Sequence, residues 1–284
     1  MRPHRFPASP RRPAPRPVVL VKLGGSLITD KETPGAARPE VIRRLAGELA
    51  AALDAEQAPR VVLGHGSGSF GHVAAAAHGL AGGIDRGAGD RARLAGIAET
   101  QARAAELHRR VIAALAEAGA LPFSIAPSSA VVTAAGRPVA WNAEPVALAL
   151  GLGLLPVVYG DVVLDRERGV AICSTEQVFL ALAEHLPPHG YRAERALWLG
   201  DTAGVLDAEG STRAEIAPSD LAAAAIAGAA AGTDVTGGMR HRVETALTLA
   251  ALGVESWILD GRQPGALAFG LAGEPSGGTR VPAG

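Results

Sequence analysis

Short runs of aliphatic and β-branched residues, each closed by glycine, recur along the chain. Val18 to Leu23 (VVLVKL) has no polar alternation apart from Lys22 and stops at Gly24-Gly25-Ser26. Such a run reads as a strand buried on both faces, as in a parallel sheet, running into a glycine turn. Residues 39 to 55 then place Val41, Leu45, Leu49 and Leu53 at helical spacing behind Pro39, which predicts a helix. Arg60 to Leu63 is a second strand, closed by Gly64-His65-Gly66-Ser67-Gly68-Ser69-Phe70-Gly71-His72. Further on, the pattern predicts one or two helices over 92–118, strands at Leu121 to Ile125 and Ala130 to Thr133, and a third buried strand from Leu154 to Tyr159, ending at Gly160-Asp161. Val162 to Leu164 and Val170 to Ile172 read as a hairpin, and Glu176 to His185 as a helix. Arg195 to Leu199 is a strand ending at Gly200-Asp201, Met239 to Leu252 a helix, and Val254 to Leu259 a last strand ending at Asp260-Gly261. The Ala-rich stretch 222–232 also reads as a helix. Strands alternating with helices predict an α/β fold with a mostly parallel central sheet covered on both faces, its ligands bound beyond the carboxyl ends of the strands.

Composition narrows the class. With 284 residues, 48% hydrophobic and 19% charged, the chain is long enough to bury a sizeable core. A net charge of -1 argues against a dedicated nucleic-acid binder. The single cysteine, Cys173, excludes an internal disulfide framework and a Cys-rich zinc site, and fits a reducing, cytoplasmic setting. The longest apolar stretch, Val146 to Tyr159, is interrupted by Pro156 and falls short of the roughly 20 residues that span a bilayer, so no membrane span is expected. Residues 1–17 carry five Arg, six Pro and no acid. The prolines oppose the amphipathic helix of a transit peptide, and a disordered tail ahead of one domain over 18–284 is expected.

Lysine usage is the most informative count. Of 27 basic residues only Lys22 and Lys31 are lysines, so arginine serves everywhere else. Lys22 lies in an apolar strand that rejects an unpaired charge, just before the glycine turn. A compact ammonium differs from a planar guanidinium where it must sit among phosphate oxygens. Both glycine loops present backbone N–H groups to an approaching anion. The second formally fits G-x-G-x-x-G at Gly66, Gly68 and Gly71, but the acids that a dinucleotide site requires, Asp85 or Asp90, fall in a glycine-rich loop. Neither loop ends in Lys-Ser or Lys-Thr, which excludes a P-loop. His72 follows Ser-Phe-Gly at a predicted helix N-terminus and is a candidate ligand contact. Asp161 and Asp201, each after a strand-ending Gly, are candidates to hold a metal-bound nucleotide or orient a lysine, or else are helix caps. Thr236-Gly237-Gly238-Met239 precedes Arg240-His241-Arg242, placing cations in a helix's first turn, where they oppose the dipole unless an anion shares the site. No metal-ligand cluster and no Ser/His/Asp motif is present, and Cys173 reads as a packing residue.

Together VKLGGSLITDK (21–31), GHGSGSFGH (64–72), SIAPSSAVV (124–132), YGDVVLD (159–165), GDTAGVLD (200–207) and DVTGGM (234–239) resemble the amino acid kinase family, and within it the isopentenyl phosphate kinases. The resemblance implies a three-layer αβα sandwich, a homodimer, and transfer of the γ-phosphoryl of ATP with Mg2+ onto isopentenyl phosphate or a close alkyl monophosphate. It implies an acceptor-binding part over about 18–165 and a nucleotide-binding part over about 166–270. Lys22, Gly24, Gly25 and Ser26 would bind ATP phosphates, and Lys31 would stabilise the transition state. Gly68, Asp201, Gly238 and Arg242 would lie on the nucleotide. Gly66, Ser67, Gly71, His72, Gly160 and Thr175 would hold the acceptor, with His72 on its phosphate. Leu94, Ile97 and Ala98 are candidates for an apolar acceptor wall. Three places depart from the family pattern: Arg242 replaces Lys, Ser174-Thr175-Glu176-Gln177 replaces Ser-Gly-Asp-Asp, and Ala203 replaces an acid. A phosphonate such as fosfomycin is the alternative acceptor. A non-catalytic nucleotide sensor and a dinucleotide oxidoreductase are the alternatives of other kinds.

Overall fold

The structure is a computed structural model and describes residues 13–84, 91–207, 209–217 and 237–284. In chain order its strands are β1 (Arg16–Leu23), β2 (Val61–His65), β3 (Pro122–Ser124), β4 (Val131–Ala134), β5 (Arg137–Trp141), β6 (Leu155–Tyr159), β7 (Asp161–Asp165), β8 (Gly169–Cys173), β9 (Tyr191–Gly200), β10 (Glu255–Asp260) and β11 (Thr279–Val281). The helices are α1 (Gly25–Ile28), α2 (Pro39–Leu53), α3 (Gly68–Ala77), α4 (Arg91–Glu117), α5 (Pro127–Ala130), α6 (Glu144–Gly151), α7 (Thr175–His185), α8 (Gly237–Ala251) and α9 (Ala266–Ala272). The central sheet has the order β11-β10-β9-β1-β2-β6-β3 and is parallel except at β11. A second sheet, β5-β4-β7-β8, mixes antiparallel and parallel pairs.

The layers follow from the alternation of side chains along β1. Val19, Val21 and Leu23 pack into one core with α2, α4 and α9, whereas Val18 and Leu20 pack into the other with α6, α7 and α8. Each such buried aliphatic contributes about 2 kcal/mol, and the result is the expected αβα sandwich. Lys22 shares the parity of Val18 and Leu20, so β1 aims it at α7 and α8. The ends of the neighbouring strands are level, with Leu23 opposite both His65 and Leu199, and His65 opposite Tyr159. That level rim is the floor of the site.

Several elements differ from the pattern reading. The first strand starts at Arg16, because Arg16 N–H donates to Gly190 O (2.9 Å) and its guanidinium stacks over Tyr191 at 4.4 Å. The buried stripe of α2 is Ile42, Leu45, Ala46 and Leu49, leaving Val41 and Leu53 at its margins. The long apolar run from Val146 divides into α6 and β6, with Gly153 in the left-handed region (φ 78°) making the break. Residues 92–118 lie largely in one continuous helix, α4. The hairpin β7–β8 is present, its turn pinned by Asp165, whose Oδ1 accepts from Glu167 and Arg168 N–H (2.8 and 2.7 Å). No described helix is long and apolar enough to cross a membrane. Asp85, Asp90, the Ala-rich 222–232 and Asp234-Val235-Thr236 lie outside the described residues.

Candidate active site

Four strand ends, those of β9, β1, β2 and β6, are laced together by their own backbone. Gly66 N–H donates to Leu23 O (3.0 Å), Gly160 N–H donates to His65 O (2.9 Å), and Gly24 N–H donates to Leu199 O (2.8 Å). The two glycine loops back directly onto each other. A Cβ on Gly25 would sit 2.7 Å from the Cα and N of Gly68, so neither loop tolerates a side chain at this crossing. Gly68 also has φ 51°, which permits α3 to start at once from the loop. His72 therefore stands within α3 rather than at its N-terminus, and faces a cleft of about 580 Å3. Thr29 closes the crossing: its hydroxyl donates to Gly25 O (2.8 Å) and accepts from Ser69 N–H (3.1 Å).

The expected site residues converge here. Lys22, Gly25, Ser26, Lys31, Gly66, Ser67, Gly68, Gly71, His72, Gly160, Thr175, Gly238 and Arg242 all line the cleft. Gly24 lies just behind it, its Cβ position 3.7 Å from Arg242 Nη2. Asp201 stands at the rim, where its Oδ2 takes Lys31 Nζ at 3.0 Å. Burial opposes ionisation of Asp201, but Lys31 holds its carboxyl below the usual range. Asp161 also lines the cleft, yet its carboxylate is spent locally on Ser128 N–H (3.2 Å), Val162 N–H (2.8 Å) and the Tyr159 hydroxyl.

Lys22 is buried, and its partner is Glu176 in the first turn of α7. Burial holds the lysine's pKa below its ordinary value although Glu176 opposes the shift, while Lys22 overcomes the burial of Glu176 and brings that carboxyl down to about 2. The sequence signals a missing counterion for Lys22 but not which acid supplies it, since the two are 154 residues apart. The departures around 174–177 are each used: Thr175 Oγ1 donates to His65 O (2.7 Å), Glu176 pairs with Lys22, and Gln177 completes a capping box with Ser174. Ala203, by contrast, is exposed. Arg242 is buried against Gly200 and Gly24, and its Nε has no partner among the described residues. A buried guanidinium with an orphan N–H, beside two lysines and two glycine loops, fits polyphosphate oxygens. Desolvation, then Lys22, hold the pKa of His72 below the ordinary histidine value.

The opposite wall of the cleft is apolar. It comes from Val73 and Ala75 of α3, Thr100 and Ala104 of α4, Val162 of β7 and Ile172 of β8. The α4 contribution is thus displaced from Leu94 and Ala98, which are exposed, while Ile97 packs half-buried against the small cluster of Ala75, Leu80, Val162 and Val170. Helical periodicity is the reason: Gly96, Thr100 and Ala104 form the inward stripe.

A sequence model of the amino acid kinase family matches residues 17–260. The chain belongs to the amino acid kinase family. Its relatives within the amino acid kinases include the isopentenyl phosphate kinase of Methanothermobacter thermautotrophicus, 32% identical over 93% of this chain and 98% of the relative. The isopentenyl phosphate kinase of Haloferax volcanii is 35% identical over 82% and 89%. A crystal structure of an isopentenyl phosphate kinase superposes with a TM-score of 0.77 at 29% identity, covering 93% of this chain and all of that one.

Proposed function

We propose that this amino acid kinase transfers the γ-phosphoryl of ATP to isopentenyl phosphate, giving isopentenyl diphosphate and ADP. The observation that carries the reading is the cleft's division into a cationic floor, with Lys22 and Arg242, and an apolar wall of small side chains beside His72. An acceptor with a phosphate head and a short hydrocarbon tail fits both halves; a free amino acid fits only the first. Lys22, Arg242 and the amides of Gly25 and Ser26 hold the nucleotide's phosphates, on the turn that Gly24 anchors to Leu199. His72, with Gly66, Ser67, Gly71, Gly160 and Thr175 around it, holds the acceptor phosphate. A phosphate oxygen of the acceptor attacks the γ-phosphorus in line, forming the new P–O bond as the bond to the β-bridging oxygen breaks and ADP leaves. That oxygen is already anionic, so no general base is required. The chain's task is to bring two anions together and cover the charge between them. Lys31, on the rim loop closed by the Thr29–Ala37 bridge, is the mobile cation that follows the transferring group. Mg2+ entering with ATP would supply further neutralisation beside Lys22 and Arg242. The reading includes a homodimer, which light scattering on the purified protein would detect.

The test is ADP release with Mg-ATP against isopentenyl phosphate, dimethylallyl phosphate, fosfomycin and free amino acids. Turnover confined to the isoprenoid phosphates is expected. Turnover on fosfomycin alone reassigns the acceptor, and ATP binding without turnover on any of them makes the protein a sensor.

A further inference from the structure

Two helices carry the chemistry of the cleft's two ends. The first turn of α7 presents Thr175 and Glu176, and the first two turns of α8 present Gly238 and Arg242. Among the described residues one side-chain hydrogen bond joins these helices: His241 Nε2 lies 3.1 Å from Ser174 Oγ. Ser174 is the N-cap of α7. Its hydroxyl oxygen accepts from Gln177 N–H (3.3 Å), and Gln177 in return accepts from Ser174 N–H (2.9 Å) and donates to Gly136 O (2.8 Å). The hydroxyl proton of Ser174 is left for Nε2 of His241 in the neutral tautomer that carries its proton on Nδ1. Glu176 and Arg242 attract each other electrostatically, but that attraction has little directionality. The His241 bond is directional, and it sits where the two helices face the cleft.

We propose that His241 is a positioning residue that fixes the nucleotide-side helix to the acceptor-side helix, so that the two phosphate groups are held in one register. The proposal rests on the kinase reading above. Binding of ATP alone needs one side of the cleft and binding of acceptor the other, whereas transfer needs both at near-attack distance. A loosened link therefore costs turnover and spares each separate affinity.

The experiment compares wild type with His241→Ala, His241→Gln, Ser174→Ala and the double alanine variant. Turnover and both KM values are measured with Mg-ATP and isopentenyl phosphate, and amide hydrogen exchange is followed in the ligand-free proteins. In His241→Ala we expect kcat to fall about tenfold with each KM within about twofold, in keeping with a positioning defect. Gln can bring its amide oxygen close to the position of the imidazole Nε2, where it accepts the Ser174 hydroxyl proton, and should recover most of that loss. The double variant should be no slower than the slower single one. Exchange should rise in the first turns of both α7 and α8 in His241→Ala. An unchanged kcat, additive losses, or a rise in the ATP KM alone would overturn the link. So would exchange that leaves α7 untouched, a result that is readable even if wild type turns over no isopentenyl phosphate and the kinase reading itself fails.

Discussion

The two lysines of the chain line the same cleft, one in its floor and one on its rim, and the fold treats them in opposite ways. Lys22, in the floor, has a side chain 8% exposed against Glu176 at 6%; Lys31, on the rim, is 57% exposed against Asp201 at 27%. For the floor pair, desolvation is met when the protein folds, so the cation is already fixed when phosphate arrives. The rim pair is solvated and cheap to break, which suits a group that must leave one anion for another during the reaction. The floor is stiffened further by a buried stack behind it. His65 and His108 share a 3.0 Å hydrogen bond, and both rings stack on Tyr159, the residue before Gly160. Nothing comparable supports the loop of Lys31 among the described residues. On the proposed reading, a preset floor serves binding and an adjustable rim serves catalysis.

The sharpest way to break this contrast is to remove the buried acid. Glu176→Ala should lower unfolding stability by about 3–5 kcal/mol, because it strands Lys22 in the core, and should abolish turnover. Chemical denaturation reads the first effect; a loss below about 1 kcal/mol would place Lys22 in solvent and end the distinction. Lys31→Ala should do the reverse. Turnover should drop on the order of 10³-fold, the scale of a transition-state cation, while stability moves by less than about 1 kcal/mol, as for an exposed pair. If calorimetry showed ATP affinity falling in parallel with turnover, the rim lysine would be a binding group like its counterpart.

Acid titration probes the floor through its buried histidine pair. Burial brings His65 down to about 4 and His108 to about 3. Between the ordinary histidine value of about 6.5 and those values the unfolded chain holds the extra protons. Stability is therefore intact above about pH 6.5 and declines as the pH falls towards 4, by up to about 1.4 kcal/mol per pH unit for each histidine. His108→Asn should flatten that decline, and an equal slope in the variant would remove His108 from the account. The smallest effect is expected for His72→Ala: a rise of roughly tenfold in the acceptor KM, about the value of one charge-assisted hydrogen bond, with the ATP KM unchanged.

Much of this site is legible in the sequence because its main-chain parts are local. A β-branched run meeting Gly-Gly-Ser, or a strand meeting Gly-Ser-Gly-Ser, encodes strand, loop and anion site within a few residues. The rarity of lysine marks Lys22 and Lys31 for the same reason: arginine stands wherever a bare charge suffices. What the sequence conceals is long-range or two-sided. Glu176 looks like any acid in a helix's first turn until Lys22 is aimed at it across the sheet. His241 sits beside two arginines and gives no hint of Ser174. The run from Val146 to Tyr159 is apolar throughout, so hydrophobicity cannot separate α6 from β6, and only Gly153 marks the break. Of the second sheet, β4 and the hairpin β7–β8 are legible as short apolar runs, whereas β5 (Arg137–Trp141) is not, because its exposed and half-buried positions make no continuous apolar face.

The central claim is that floor and rim act together in one direct transfer from ATP to an alkyl monophosphate. The most direct measurement is a rapid-quench experiment with γ-labelled ATP and Mg2+, with and without isopentenyl phosphate. The account predicts label in isopentenyl diphosphate within one turnover, and none on the protein in either case. Label retained on the protein, on His72 above all, or label released only as inorganic phosphate, would contradict it.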